Sequence, residues 1–178
     1  MSNIVLMVVD VQNALVKAQP YNKETVIENI KELISSARLN NKEVIYIRHD
    51  DGKDTELEQG TEGWQIYNDI EPNRSELIFE KQYNSAFLKT ELREYLASKN
   101  IDTIILVGLQ TEYCIDATCK SAFDYGYKIV IPEETNTTFD NEFLPANKLY
   151  EFYNYKIWNK RFADVTSMKD VIRLYLES

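Results

Sequence analysis

Histidine occurs once in these 178 residues, at position 49. That count excludes any site needing two imidazoles, which removes most zinc centres. Cysteine is nearly as scarce. Two thiols, Cys114 and Cys119, do not make a disulfide framework, so a reducing, cytoplasmic location is expected. The five glycines form neither G-x-G-x-x-G nor G-x-x-x-x-G-K-[ST], so a dinucleotide or P-loop site lacks its phosphate cradle. No apolar run approaches the ~20 residues of a membrane span. The opening MSNIVLMVVD has no basic n-region and no small-residue cleavage site, so no secretory leader is expected. Basic residues are also in deficit. Lys and Arg number 20 against 29 Asp and Glu, a net charge of −9. Nucleic acids and anionic membranes both demand basic surface, so neither is expected as a partner.

What is present is an ordinary globular composition, 44% hydrophobic. A chain this long can bury ~70% of its unfolded surface as one domain, here residues 1–178. Residues 4–9 are an unbroken apolar run ending at Asp10, which reads as a strand covered on both faces. Residues 23–40 carry Val26, Ile27, Ile30, Leu33, Ile34 and Ala37 at helical spacing. A second buried strand at 44–47 runs out at Arg48 and His49. Residues 50–75 are polar and irregular, yet contain Trp64, Ile66 and Tyr67, which favours an ordered, packed loop. A short strand at 76–80 ends at Lys81, and 87–98 reads as helical. Apolar residues 104–107 then meet Gly108, and a helix follows with Thr111 as its expected cap. A fifth strand at 127–131 stops at Pro132, residues 141–153 read as helix, 156–158 as a sixth strand and 167–176 as a closing helix.

Strands alternating with helices specify a parallel sheet with helices on both faces. The expected fold is a three-layer α/β/α sandwich around a doubly wound, mostly parallel, six-stranded Rossmann-like sheet. Ligands of such sheets bind beyond the carboxyl ends of the strands. Asp10, His49, Lys81 and the Cys114 turn all lie there. With Thr111 as cap, Cys114 is the third helical residue, where free N–H groups and the helix dipole would lower a thiol's pKa. The competing reading is a small buried hydrophobe. Cys119, five residues on, is rotated roughly 140° around the helix and cannot share the site. Asp10 could be a turn aspartate or a general base, and Lys81 a solvated strand-end lysine or a buried counter-charge.

Five segments together carry a resemblance: VVDVQNAL at 8–15, EKQYNSAF at 80–87, GLQTEYCI at 108–115, TTFD at 137–140 and FADV at 162–165. In this order and spacing the chain resembles the isochorismatase-like cysteine hydrolases, over nearly its whole length. The resemblance implies an Asp10, Lys81 and Cys114 triad and a cis peptide at Leu109–Gln110. It also implies an oxyanion hole from the backbone N–H groups of Gln110 and Cys114. Gln12, His49, Asp50, Trp64 and Phe87 would line a substrate pocket. Nicotinamidases of this superfamily set an Asp and several His around a metal, and His49 alone does not repeat that set, so neither metal nor cofactor is expected. The implied activity is cleavage of an amide-type C–N bond of a small molecule through a thioester. Vinyl ether hydrolysis and a non-catalytic scaffold are the alternatives. A homodimer or homotetramer is the implied assembly.

Overall fold

The first strand, β1 (Ile4–Val9), shows why continuous apolarity was needed. All six of its residues are buried. Ile4, Leu6 and Val8 face one core, while Val5, Met7 and Val9 face the other. Strand alternation sends neighbours to opposite faces, and both faces are covered. The computed structural model describes residues 3–177. After β1 come the short helix α1 (Asn13–Lys17), α2 (Lys23–Leu39), β2 (Glu43–His49), β3 (Leu77–Lys81), α3 (Leu92–Ser98) and β4 (Thr103–Leu109). A wide helical turn, Thr111–Ile115, leads into α4 (Asp116–Asp124). Then follow β5 (Lys128–Pro132), β6 (Asn136–Thr137), α5 (Ala146–Glu151) with its continuation Phe152–Trp158, and β7 (Asp164–Thr166). The last element is α6 (Met168–Val171), continued by Ile172–Leu176.

The sheet runs β3-β2-β1-β4-β5-β7, with β6 paired to the end of β4, and every pairing is parallel. Chain order reverses between β1 and β4, which is where such sheets open a crevice at their carboxyl ends. On one face, α2 buries its six apolar positions beside Val171 and Leu176. On the other, Leu92 and Leu96 of α3, Ile115, Cys119 and Ala122 of the Cys114 helix, and Trp158 close the second core.

Three expectations need correction. Among the described residues the sheet has seven strands rather than six, because two-residue β6 extends the β4 edge. The last strand is Asp164–Thr166, not 156–158. Residues 156–158 finish a helix whose buried positions Ala146, Tyr150, Asn154 and Trp158 recur every fourth residue, the spacing of one helix face. Helix α3 begins at Leu92; residues 87–91 are turns held by Ser85 and Thr90 hydroxyls. The loop over 50–75 is ordered as expected. Asp50 accepts from the Gly52 and Gln59 amides, and Ile66 bridges back to Gln12.

Candidate active site

Three strand ends and one helix start converge at the crevice. Asp10 follows β1 directly and turns the chain off the sheet in a left-handed conformation, φ 52°, which aspartate tolerates better than most side chains. Its amide donates to the Ile47 carbonyl at 2.9 Å and its carbonyl accepts from Gln12 at 2.9 Å. Lys81 is the buried end of an edge strand that is otherwise partly or fully exposed. It lies in register with His49, the last residue of β2. Gly108 lets β4 close against this end of β1. Its φ is +125°, and a Cβ there would sit 1.9 Å from the Val9 carbonyl oxygen, so only glycine fits. The Leu109–Gln110 peptide is cis.

The helix starts one residue earlier than expected. Gln110, not Thr111, is the cap residue, and its side chain caps nothing. The Tyr113 and Ile115 amides both donate to the Gln110 carbonyl, at 3.2 and 3.1 Å, so the first turn is wide. Cys114 sits between those two donors as the fourth helical residue. Thr111 instead donates its hydroxyl to Asn136 Oδ1 at 2.8 Å. Asn136 and Asn154 exchange side-chain bonds at 2.9 and 3.0 Å. This satisfied, buried amide network ties the helix start to β6 and α5.

Lys81 Nζ is the centre of the cluster. It donates to Asp10 Oδ2 at 2.7 Å, to His49 Nδ1 at 2.8 Å and to Cys114 Sγ at 3.2 Å. An ammonium has three N–H donors, and all three are engaged. The Lys81 and Asp10 side chains are 0% and 2% exposed. Asp10 Oδ1 is buried and has no hydrogen-bond partner among the described residues. The ligand atoms of Asp10, His49 and Cys114 lie within 4.8 Å of one another, the spacing of a metal-binding set. The Lys81 ammonium, however, bonds to all three of those residues. The donor set is already neutralised by a covalently tethered cation, and a metal ion would have to displace it.

The thiol corrects a second expectation. Burial pushes Cys114 up to about 12, the Asp10 carboxylate adds to that rise, and the Lys81 ammonium opposes it. The shift runs opposite to the lowering expected at a helix start, because burial disfavours the charged thiolate. Burial pushes Cys119 to about 12 as well, and it is fully enclosed in the core.

The residues implied to line a pocket have distinct placements. Gln12 is fully buried and donates to the carbonyls of His49 and Trp64, both at 2.9 Å, while its Oε1 accepts from the His49 amide at 3.0 Å. Its carboxamide thus acts as a clamp within the protein. Asp50 holds its own loop and accepts from Gln82 at 3.2 Å; the Gly52 amide bond is the main cause that lowers its carboxyl pKa. Trp64 is buried under the Arg48 guanidinium, 3.3 Å from the ring centroid, and its Nε1 has no hydrogen-bond partner among the described residues. Phe87 packs against Tyr125 and Tyr127 in the core. A 460 Å³ cavity opens beside Lys81 and is lined by Asp50, Gln82, Tyr83 and Lys89 among others. The larger 780 Å³ cavity lies along β3 and α3 and includes neither Asp10 nor Cys114. One neighbour went unread in the sequence: Asn84 Oδ1 lies 3.8 Å from Cys114 Sγ. Its signal was its place three residues after Lys81.

Asp10, Lys81 and Cys114 form a buried cluster at the switch point of a doubly wound sheet. The isochorismatase domain model matches residues 4–170, and the chain belongs to that family. A crystal structure of an isochorismatase family protein superposes with a TM-score of 0.87 at 27% identity, covering 94% of this chain and 99% of that one. Streptothricin hydrolase from Streptomyces noursei is 27% identical over 143 residues, 79% of this chain. N-carbamoylsarcosine amidase from Arthrobacter sp is 28% identical over 173 residues, 87% of this chain. The chain spans 51% of the first of these enzymes and 62% of the second. No helix among the described residues is long and apolar enough to cross a membrane.

Proposed function

We propose that this protein is a hydrolase that cleaves an amide-type C–N bond of a small molecule, with Cys114 as nucleophile. The observation that carries this reading is the Lys81 ammonium, bonded at once to Asp10 and to the Cys114 sulfur, with one Asp10 oxygen left unpartnered. A buried acceptor without a donor is costly, and it belongs to the carboxylate that takes the thiol proton in this reading. The likeness to an amidase of the same family supports the bond type.

Cys114 Sγ adds to the substrate carbonyl carbon as Asp10 takes the thiol proton. Burial pushes the thiol up, so proton transfer to Asp10 accompanies C–S bond formation. The carbonyl π electrons pass to oxygen, where the backbone N–H groups of Gln110 and Cys114 are the proposed donors. Collapse expels the amine, which leaves with the proton from Asp10, and a thioester remains. Water then attacks that thioester, Asp10 again accepts a proton, and the acid departs as Sγ recovers it. Lys81 supplies a positive charge 2.7 Å from the Asp10 carboxylate and 3.2 Å from the sulfur throughout.

The test is a panel of small primary and secondary amides with the wild-type protein, following ammonia or amine release. Turnover by wild type, and loss of several orders of magnitude in Cys114→Ala, is expected. Undiminished turnover in Cys114→Ala would sink the thioester route and favour water attack, as in vinyl ether hydrolysis.

A further inference from the structure

We infer that His49 is a positioning residue that holds the Lys81 ammonium in place through its unprotonated Nδ1, and that Gln12 fixes His49 for this purpose. This inference rests on the proposed thioester reading. Lys81 has three acceptors, and two of them change during that reaction. Asp10 gains and loses a proton, and the Cys114 sulfur passes from a thiol to a thioester. The His49 nitrogen is the one acceptor whose bonding state stays constant. It therefore keeps the ammonium from following either reacting group.

The geometry sets the tautomer. An ammonium only donates, so Nδ1 at 2.8 Å must accept and the ring proton must lie on Nε2. Nε2 faces the Asp51 carboxylate at 3.5 Å. The other charged groups around the ring are Lys81, Asp10 and Asp50. The backbone of His49 is gripped on both sides. Gln12 Oε1 accepts from its amide at 3.0 Å and Gln12 Nε2 donates to its carbonyl at 2.9 Å. The same Nε2 donates to the Trp64 carbonyl at 2.9 Å. A fully buried carboxamide spent wholly on these bonds registers the end of β2 against the 64 loop, and with it the imidazole.

The single histidine of the chain makes the test unambiguous. Nitrogen-15 NMR of the imidazole in the full-length protein should give the Nε2–H tautomer alone at neutral pH, and Lys81→Met should relax it to a mixture. A Nδ1–H tautomer, or no response to Lys81→Met, overturns the inference. Iodoacetamide alkylation at mildly alkaline pH, read by peptide mass mapping, supplies the second arm. His49→Asn places an acceptor oxygen at the same bond count from the backbone as Nδ1, and Cys114 should label within about threefold of wild type. His49→Leu leaves a buried ammonium N–H unpartnered, and labelling should slow by about tenfold or more, with Cys119 unchanged as the internal reference. Equal rates in the two variants overturn the inference. Neither arm needs a substrate, so both can fail while the thioester reading stands. An active Cys114→Ala would remove that reading while leaving both arms intact.

Discussion

Replacing Lys81 by Met keeps most of the side-chain volume and removes the charge. The lysine side chain is 0% exposed and its partner Asp10 is 2% exposed. Removing one member of a buried pair strands the other, at a cost of about 3–5 kcal/mol. Asp10 would then lose its 2.7 Å bond to the Lys81 ammonium, while Oδ1 already has no hydrogen-bond partner among the described residues. For a domain of this size each kcal/mol lowers Tm by about 2–4 °C, so Lys81→Met should melt roughly 6–20 °C below wild type. The double variant Asp10→Asn with Lys81→Met buries no unpaired charge. It should recover at least half of that loss, because neutral replacement of a buried ion pair is often tolerated. Calorimetry and urea unfolding of wild type, both single variants and the double variant close the cycle. A single-variant loss under about 1 kcal/mol, or a double variant as unstable as the sum of the singles, would refute a buried, mutually dependent pair.

Other outcomes follow from the same geometry. Gly108→Ala should prevent folding or cost more than about 4 kcal/mol, read as loss of soluble expression or of the unfolding transition, since a Cβ meets the Val9 carbonyl at 1.9 Å in a φ of +125°. Alkylation of Cys114, with its thiol at about 12, should accelerate roughly tenfold per pH unit from pH 7 to 9 without a plateau; a plateau below pH 8 would mean a resting thiolate. Both thiols titrate higher folded than unfolded, so their contribution to stability is complete below about pH 9 and is lost as pH rises toward about 12. Urea midpoints of a Cys114→Ala/Cys119→Ala pair should therefore fall less steeply over that window than those of wild type. Arg38→Leu should cost about 1–2 kcal/mol in urea unfolding. Its guanidinium makes two bonds to the Glu76 carboxylate, at 2.9 and 2.8 Å, and one to the Glu71 carbonyl at 3.0 Å in a partly buried setting.

The central architecture was legible because it rests on period and burial. Residues 4–9 and 104–107 are apolar without alternation, and that pattern alone required helices on both faces. Asp10, Lys81 and Cys114 were legible as strand-end and helix-start residues, and the fold brings them within hydrogen-bonding distance. What escaped were features that depend on partners distant in sequence. Thr111 looked like a cap because threonine caps helices, but its hydroxyl is spent on Asn136. Asn154 interrupted an apolar stripe and hid the helix through 152–158; its amide is buried because Asn136 and the Tyr150 carbonyl complete its bonds. The thiol's position on the helix suggested a low pKa, whereas burial, which a sequence does not display, pushes it up. Gln12 shares its motif with Asp10, yet all its hydrogen bonds point inward to backbone.

The claim that Cys114 forms the covalent intermediate has one most direct measurement. Wild-type protein turning over an amide from the panel is quenched in acid within the first turnovers, and the Cys114 peptide is weighed. A parallel sample receives hydroxylamine during turnover. An acyl mass on the Cys114 peptide, absent from the Cys119 segment and from Cys114→Ala, with hydroxamate formed in the parallel sample, is the predicted result. Continued turnover with no acyl mass on Cys114 and no hydroxamate would contradict it.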